Sequence, residues 1–567
     1  MFTKTRTTTS HKRSRLSVAG VATVVMGLLL SGVPLSPAVA ANTAGGSCTT
    51  LRAKATIGKF QYVCSISPRD GKKIWMQPSE TPVAGGNFRV ALPALPATLD
   101  PYATSLQADW IIARNVCEPL FDVTPGFEVK PILAESFKYT DPSTVIIKLR
   151  TGVKFQNGET FTAKDVVSSL KRFVLTPGNG TALGAVVSSI TEVDSSTVKF
   201  TLKQTSPLIQ TYLTAAYIMP ASIQDGQSAT KAVEKIICTG PFSLTSFVPG
   251  QKIVLTKYRG YKARTEASSG ATGRKIAWVD TVTVVPMAAE STRLQALATN
   301  AVDLAYTGLD NGPILFNSAN VRAIAMDQAS SPFVIFNKRA GIMSNVKMRQ
   351  AFLAALDFND ILASGFGDKK YYSVSGSIFP KGNAWYSTGG TQSWNTKNAA
   401  RAKALMAEAG YKGEPIIWYT TKEDPTWYGP ALPAVQQLKA VGINIDLRVV
   451  DRATIIATRS DASKYDMFSS AIPIYPDPVV LPYLLDTFAG WWISPAKTKL
   501  MAELASGDTY KARKATWDKL QTLAYEEVPF VKFGDVSGGV VAVNKKFYMP
   551  AAQFNFSYWY NVYKTKG

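Results

Sequence analysis

The chain has 567 residues, 46% of them hydrophobic and 11% aromatic, and its formal net charge at pH 7 is +22. This length predicts several domains with large cores, and the composition excludes a chain that is disordered throughout. The charges are scattered, without a basic run interleaved with aromatic residues, so we do not expect a nucleic-acid-binding protein. The basic balance instead favours association with an anionic cell surface, which salt should weaken.

Residues 1–40 have the pattern of a secretory signal peptide. Cationic residues precede the apolar run from Leu16 to Leu30, and Ala38-Val39-Ala40 forms a small-residue cleavage site. A retained membrane anchor is the alternative, but the run is short and soon meets Pro34 and Pro37. No later segment offers about 18 uninterrupted apolar residues, and no cysteine stands at the cleavage site. We therefore expect an exported, extracellular or periplasmic protein without a lipid anchor.

Catalytic and metal-binding classes are largely excluded. The only histidine, His11, lies in the predicted signal peptide, which removes histidine-dependent catalysis and His-ligated zinc or nickel. No Gly-x-Ser-x-Gly elbow or phosphate-binding glycine loop stands out, and the acidic pairs Glu423-Asp424 and Glu526-Glu527 lie in no catalytic frame. We expect no enzyme, no metal and no cofactor. A secreted glycoside hydrolase is the competing class.

Residues 41–82 predict a small β module. The runs 60–63 and 73–75 resemble hairpin strands around Arg69-Asp70-Gly71, and so short a unit needs a staple. A disulfide between Cys48 and Cys64 would supply it. The segment carries six lysines and arginines against two acidic residues, which suggests retention at the cell surface. A passive spacer is the alternative.

The four cysteines of an exported chain predict two disulfides, with three possible pairings. Cys117 and Cys238 form the pair left over after the N-terminal module has taken its own. Two buried free thiols are the alternative for these positions.

From Gly86 onward the chain alternates short strands and helices, which is typical of α/β layers. The first stretch is rich in strands, and the second alternates regularly. The predicted strands are 88–91, 143–150, 190–202, 242–258, 279–285, 302–305, 334–337, 416–419 and 443–449, and the predicted helices are 109–116, 290–298, 346–356, 399–409 and 432–440.

The most informative local pattern runs from Ile146 to Phe173. An alternating strand leads into a turn at Asn157-Gly158, and Thr162 is the N-cap of an amphipathic helix. Taken with its spacing, this block resembles the signature of extracellular solute-binding protein family 5, the peptide/nickel class that serves ABC importers. Six further stretches match that family in order, and they begin at Thr98, Cys117, Thr239, Val346, Ala402 and Tyr475.

The resemblance implies a two-lobed periplasmic-binding-protein fold of type II, in its large three-subdomain form, behind the small stapled β module. On that template the first lobe is 84–284 plus 527–567, with a sub-domain near 127–190, and the second lobe is 285–526. It further implies a monomeric receptor that encloses a small-molecule or peptide ligand and docks on ABC permease subunits at the membrane. An oligosaccharide receptor of the same fold is the alternative.

The resemblance also supplies candidate ligand-binding residues. In peptide binders of the family, an aspartate three residues before the Asp-Pro aspartate holds the ligand's amine, and this chain has Ile474 there. Ala471 similarly replaces a common tryptophan. An isoleucine offers no charged acceptor, so both departures count against free peptides. Asp477 itself is expected to be a turn residue.

Other candidates are chosen by residue type or position. Aromatic rings suit amphipathic ligands, with core packing as the alternative, and arginines suit carboxylates or phosphates, with a solvated surface as the alternative. We expect Trp418 in the core. The aromatic and cationic candidates are Trp427, Trp491, Trp492, Arg452 and Arg459, and the positional candidates are Thr104, Ser105, Gln107, Phe336, Asn337, Ser470 and Tyr475.

Overall fold

The structure, a computed structural model, describes residues 44–567 with short gaps. The gaps are 58, 68, 70, 78–79, 97, 104–106, 177–178, 229–230, 309–314, 316–317, 327, 474, 508, 538, 551–557 and 566–567. The predicted signal peptide lies outside the described residues. Within the described part, no helix has both the length and the apolar character needed to cross a membrane.

A small antiparallel sheet, here called the N-terminal sheet, precedes the two large ones. Its strands are Lys54–Ile57, Phe60–Ile66 and Lys73–Met76. The predicted disulfide joins Cys48 to Cys64, with 5.8 Å between the two Cα atoms. Trp75 and Met76 are buried and give the unit a small core. The predicted stapled module is therefore present.

The first-lobe sheet has seven strands. Their order is Phe242–Val248, Lys252–Lys257, Thr281–Pro286, Asn87–Leu92, Leu304–Thr307, Val540–Asn544 and Val321–Ala325. The central strand Asn87–Leu92 is parallel to both neighbours. Its alternate residues Phe88, Val90 and Leu92 lie in the largest core of the molecule.

A four-stranded antiparallel sub-domain sheet grows out of the first lobe. Its order is Ala134–Asp141, Thr144–Leu149, Thr197–Leu202 and Val187–Asp194. The predicted helix follows as Ala163–Phe173, and it begins after the N-cap Thr162, whose backbone N–H donates to the Asp165 carboxylate at 2.8 Å. Its apolar face packs in the same core as the sheet.

The second-lobe sheet is also seven-stranded. The strands run in the order Tyr372–Ser373, Asp535–Ser537, Gln328–Phe336, Met467–Pro473, Ile416–Thr420 and Ile445–Val449, and Phe530–Lys532 also pairs with the third of these. Cores cover both faces, because Val334 and Phe336 belong to one cluster while Phe333 and Ile335 belong to the other.

Helices surround these sheets, and two small two-stranded sheets complete the fold. The remaining helices are Gln107–Val116, Asn179–Val186, Ile209–Tyr212, Ala221–Gln224, Glu290–Ala298, Val346–Ala355, Phe358–Phe366, Ala399–Ala409, Pro425–Tyr428, Ala431–Val441, Arg452–Thr458, Pro495–Ser506 and Tyr510–Glu527. One two-stranded sheet is the hairpin of Phe121–Val123 with Val129–Pro131, and the other pairs Phe547–Tyr548 with Tyr563–Lys564. A second disulfide joins Cys117 and Cys238, as expected.

Two connections link the large sheets, and they differ from the predicted lobe boundaries. The chain passes from Val321–Ala325 to Gln328–Phe336, and it returns from Asp535–Ser537 to Val540–Asn544. The segment 285–325, which we expected in the second lobe, therefore adds two strands to the first-lobe sheet. Residues 530–537, expected in the first lobe, pair in the second-lobe sheet. Strand pairing across hundreds of residues decides these boundaries.

Candidate ligand-binding cleft

A large cavity lies between the sub-domain and the second lobe. Its volume is about 940 Å³. One wall comes from 124–139 and 207–211, and the other comes from 382–385, 476–477 and 509–513. Ligand pockets usually measure about 300–1,000 Å³ and lie between domains. Volume and position both suit an enclosed organic ligand.

The two walls touch at one edge of the cavity, in what we call the rim contact, formed by Gly126, Gly382 and Ala384. The backbone N–H of Ala384 donates to the carbonyl oxygen of Gly126 at 2.7 Å. A Cβ atom on Gly126 would stand only 2.5 Å from the carbonyl oxygen of Gly382. Glycine is therefore required at residue 126 by the close approach of the second lobe. The Tyr510 hydroxyl donates to the carbonyl oxygen of Ala384 from the same side.

A buried ion pair supports the second-lobe wall. Both terminal nitrogens of Arg513 donate to the Asp477 carboxylate, each at 2.7 Å, and both side chains are less than a tenth exposed. The Arg513 Nε donates to the Leu504 carbonyl at 2.8 Å, and the guanidinium lies 5.0 Å from the Trp385 ring centre. Asp477 also caps the short helix that follows, by accepting from the Val479 N–H at 3.0 Å. Its carboxylate is engaged within the protein.

Aromatic side chains supply much of the remaining cavity surface. The ring centres of Phe137 and Tyr139 lie 5.3 Å apart on the first wall, and those of Trp385 and Tyr510 lie 5.3 Å apart on the second. In each pair the two rings meet edge to face. Burial raises the pKa of Tyr139 to about 12, so its hydroxyl stays protonated at neutral pH and donates to the Ser206 carbonyl. Flat rings with polar edges suit amphipathic ligands.

The charged side chains of the lining each have a partner of opposite charge. They are Asp477 with Arg513, and Glu128 with the exposed Lys130. Uncharged polar groups of the lining include Thr124, Gln210, Thr211 and Ser269. In the described part of the chain, no group of three or more His, Cys, Asp or Glu side chains is placed to hold a metal ion.

Several predicted site residues lie inside the second lobe instead of on the cavity wall. Phe336 is fully buried with its ring 5.1 Å from Phe352, and Ser470 is buried in the neighbouring strand. The Asn337 side-chain amide donates to the carbonyls of Ala462 and Tyr465 at 2.7 and 2.8 Å. These residues hold the strand ends together, and none belongs to the cavity lining.

The three candidate tryptophans are buried in the second-lobe core, and so is Trp418. The guanidinium of Arg339 covers Trp491 at 4.3 Å, and the Trp492 indole N–H donates to the Glu527 carboxylate. Trp427 is 3% exposed. The core-packing alternative thus describes where these rings lie, and none of them is part of the cavity lining.

The remaining candidates are dispersed. Arg452 is exposed and lies 3.9 Å from the Asp424 carboxylate, while Arg459 lies half-buried over Phe468 and Phe488, and burial lowers its pKa. Tyr475 is half-buried beside the lining residue Pro476, and burial raises its pKa. Gln107 begins the helix Gln107–Val116. Thr104, Ser105 and Ile474 lie outside the described residues.

Sequence reasoning missed the residues that form this cavity. Trp385 follows a turn at Gly382, and its aromatic character was an available signal. Arg513 carried no local signal, because its partner Asp477 is 36 residues away in sequence. Only residues 127–129 of the 124–129 turn fell in the predicted sub-domain, and no part of the turn was recognised as a wall.

Known proteins resemble this chain over most of its length. Residues 128–491 match the model of "Bacterial extracellular solute-binding proteins, family 5 Middle". A probable peptide ABC transporter periplasmic-binding protein of Sinorhizobium fredii is 24% identical over 80% of this chain and 90% of its own. The glutathione-binding protein GsiB of Escherichia coli K12 is 25% identical over 62% of this chain and 67% of its own.

Solved structures share the fold. The ABC transporter substrate-binding protein CtaP of Listeria monocytogenes superposes with a TM-score of 0.74, at 20% identity, over 85% of this chain and 100% of its own. The murein tripeptide binding protein MppA, in its unliganded open form, superposes with a TM-score of 0.71 at 19% identity. The superposition covers 86% of this chain and 99% of MppA. The fold is thus the two-lobed periplasmic-binding-protein fold. With nearly two thirds of its residues matched by the family model, the chain belongs to the family 5 bacterial extracellular solute-binding proteins.

Proposed function

We propose that this protein is the extracellular substrate-binding receptor of an ABC importer, and that it captures an oligopeptide or another organic solute between its lobes. The observation that carries the proposal is the cavity of about 940 Å³ that lies between the two lobes. The family membership supports it, and so do relatives named as peptide-binding components of such transporters. Delivery to permease subunits at the membrane is the step that follows capture.

Hinged closure is the proposed mechanism. We assign the hinge to the two chain connections between the large sheets, at 326–328 and 537–540. The boundary between the two lobes runs through these connections. Gly126 already meets Gly382 at one edge of the cavity, and closure about this contact narrows the remaining opening, so that ligand binding free energy selects the closed state. The ligand leaves chemically unchanged, and the receptor acts as a monomer outside the membrane.

Two ligand classes differ in what the cavity offers them. An oligopeptide fits the names of the relatives, whereas an oligosaccharide fits a specific feature of the lining. The charged groups of the cavity lining are already paired with each other or with Lys130. The aromatic rings of the lining, among them Trp385 and Tyr510, suit the faces of sugar rings or of capped peptides. The same feature predicts that a free ligand amine is not the main anchor.

Thermal unfolding with candidate ligands distinguishes these classes, because a ligand that binds only the folded protein raises its stability. The panel contains a free peptide, its N-acetylated form and a neutral oligosaccharide. We expect the acetylated peptide or the oligosaccharide to raise the midpoint at least as much as the free peptide. A shift only with free-amine peptides contradicts the proposed lining chemistry, and native mass spectrometry of protein from its own host identifies any co-purified ligand.

A variant pair tests the site itself. Tyr510→Ala removes an aromatic wall and should weaken binding of the ligand identified above by about 2- to 12-fold, since a ring contact contributes about 0.5–1.5 kcal/mol. Tyr548→Ala is the control, because Tyr548 is also a partly exposed tyrosine, stacked on Tyr563 outside the cavity lining. Titration calorimetry measures both. Equal affinities for the two variants would place the ligand elsewhere.

A further inference from the structure

The N-terminal sheet carries exposed positive charge that solute binding does not use. Its residues precede the family match, which begins at 128. In the sequence, the only acidic residue between 44 and 77 is Asp70. The exposed cationic side chains of this segment are Arg52, Lys54, Lys59, Arg69, Lys72 and Lys73. So strong an imbalance in so small a unit favours an anionic partner.

The cations stand on both faces of the sheet. Lys54 is paired with Val63, and Lys73 is paired with Ile66 on the other side of the middle strand. Paired residues share a face and successive residues alternate, so Val63 and Ile66 point in opposite directions. Lys54 and Lys73 therefore do so too. A flat bilayer reaches one face of a sheet, whereas a flexible polymer reaches both.

The sheet is a stapled unit attached to the first lobe. Besides the Cys48–Cys64 disulfide, Gly45 and Gly46 exchange backbone hydrogen bonds with Trp75 at 2.9 Å each. The carbonyl of Arg69 accepts from the Ser268 N–H at 2.6 Å, and Ser268 lies in the loop between the first-lobe strands Lys252–Lys257 and Thr281–Pro286. A partner held by this sheet therefore moves with the first lobe.

We propose that the N-terminal sheet binds a flexible, phosphate-bearing polyanion of the cell envelope and thereby holds the receptor at the cell. The partner is a polymer and not a membrane, because Lys54 and Lys73 lie on opposite faces of the sheet. The attraction is electrostatic and weakens as salt displaces the protein from the polymer phosphates. Solute capture proceeds independently, in the cleft.

The test uses the chain from residue 41 to 567 and long-chain polyphosphate as the probe, across a salt series. Arg52→Gln, Lys54→Gln and Lys59→Gln are combined, since all three side chains are exposed. The affinity should fall at least about tenfold. The slope of log affinity against log salt should decrease by about 2, because each lost phosphate contact contributes about 0.7 for a flexible single-stranded polyanion.

A matched control removes three exposed lysines from the second lobe: Lys403→Gln, Lys412→Gln and Lys439→Gln. This control loses the same three positive charges as the triple variant of the N-terminal sheet. We expect its affinity for polyphosphate to stay within about twofold of the wild-type affinity. Equal losses in both triple variants would overturn the proposal in favour of general charge attraction. Tighter binding to phosphatidylglycerol vesicles than to polyphosphate would overturn it in favour of a membrane surface.

Cells provide the second readout. The triple variant of the N-terminal sheet should pass from the cell fraction into the medium, while the second-lobe control stays with the cells. The thermal shift given by whichever member of the peptide and oligosaccharide panel stabilises the wild type should be the same in both. If the wild type and both triple variants show no thermal shift, the proposed ligand site in the cleft is refuted and the proposal for the N-terminal sheet still stands. If the triple variant of the N-terminal sheet stays in the cell fraction, only the proposal for the N-terminal sheet is refuted.

Discussion

Two regions of the second lobe each bury a carboxylate with a cation, and they do so differently. At the cavity, Arg513 holds Asp477 with two parallel hydrogen bonds, and every named donor has an acceptor. Near the lobe connections, Lys532 approaches Asp535 through one carboxylate oxygen, which also accepts from Ser331 at 2.8 Å. Among the described groups, the other Asp535 oxygen has no hydrogen-bond partner.

The difference concerns geometry and solvation. A planar guanidinium matches a carboxylate in two places, whereas an ammonium acts as a point charge. Burial lowers the pKa of Lys532 and raises the pKa of Asp535, so each charged form is disfavoured by its surroundings. We infer that the cavity pair organises a wall, whereas apolar packing could replace the other pair.

The largest effect is expected from breaking the cavity pair. Arg513→Met leaves the Asp477 carboxylate buried without its cation and should lower the free energy of unfolding by about 3–5 kcal/mol. Urea denaturation measures it. Lys511→Met is the control on the same helix, because Lys511 is exposed, and it should change stability by less than about 0.5 kcal/mol.

Replacing whole pairs sharpens the comparison. Lys532→Met with Asp535→Leu should be close to neutral, because removing two buried charges together is favourable by about 1–4 kcal/mol, while the Ser377 carbonyl loses its ammonium donor and the Ser331 hydroxyl loses its acceptor. Arg513→Met with Asp477→Leu should instead remain destabilised by about 1–3 kcal/mol, because the Val479 N–H loses its acceptor. Denaturation curves for the two double variants decide the matter. Identical outcomes would show that the two pairs are equivalent.

The rim contact offers a functional counterpart with a smaller effect. Gly126→Ala places a methyl group against the carbonyl of Gly382 and should open the cavity edge. We expect ligand affinity to fall about tenfold, or about 1.4 kcal/mol, by calorimetry. Gly158→Ala is a control for the substitution itself, since no atom lies within 4 Å of its Cβ position, although its φ of +91° adds strain. Affinity unchanged by Gly126→Ala would mean that closure does not need this contact.

The smallest expected effect is a dependence on pH. Folded Asp535 keeps its proton above the ordinary pKa of 3.8, so its contribution to stability declines as the pH rises from that value. Folded Lys532 loses its proton below the ordinary 10.5, so its contribution rises as the pH approaches 10.5. We therefore compare the free energy of unfolding of the wild type with that of the Lys532→Met, Asp535→Leu variant across a pH series. Their difference, wild type minus variant, should pass through a minimum between pH 3.8 and 10.5. A flat difference across the series would contradict both pKa directions.

The fold was predictable where local pattern and connectivity agree. The block from Ile146 to Phe173 gave strand, turn and capped helix, and all three are present. Both disulfides match the expected pairing, although the four cysteines alone allowed three pairings and left free thiols open for Cys117 and Cys238. The lobe boundaries did not follow, because Leu304–Thr307 belongs to the first lobe through pairing with Val540–Asn544, a contact that no local pattern encodes.

The candidate site was harder to predict. Phe336 ends a strand, but both faces of that strand are covered, so its position could not show whether the ring faces a core or a ligand. Trp491 and Trp492 lie in an apolar core of the second lobe, and Arg339 covers the Trp491 ring, so aromatic character alone could not show which rings face a ligand. The cavity wall depends on a turn at Gly126 meeting another at Gly382, and the meeting of distant turns requires the three-dimensional fold.

The bond between Cys117 and Cys238 has a consequence for digestion of the native protein. It joins points 121 residues apart, and the whole sub-domain sheet lies in the stretch between them. A single protease nick beside the exposed Val193 would thus free no piece of the chain. The severed halves would run as one band on a non-reducing gel and separate only after a thiol is added.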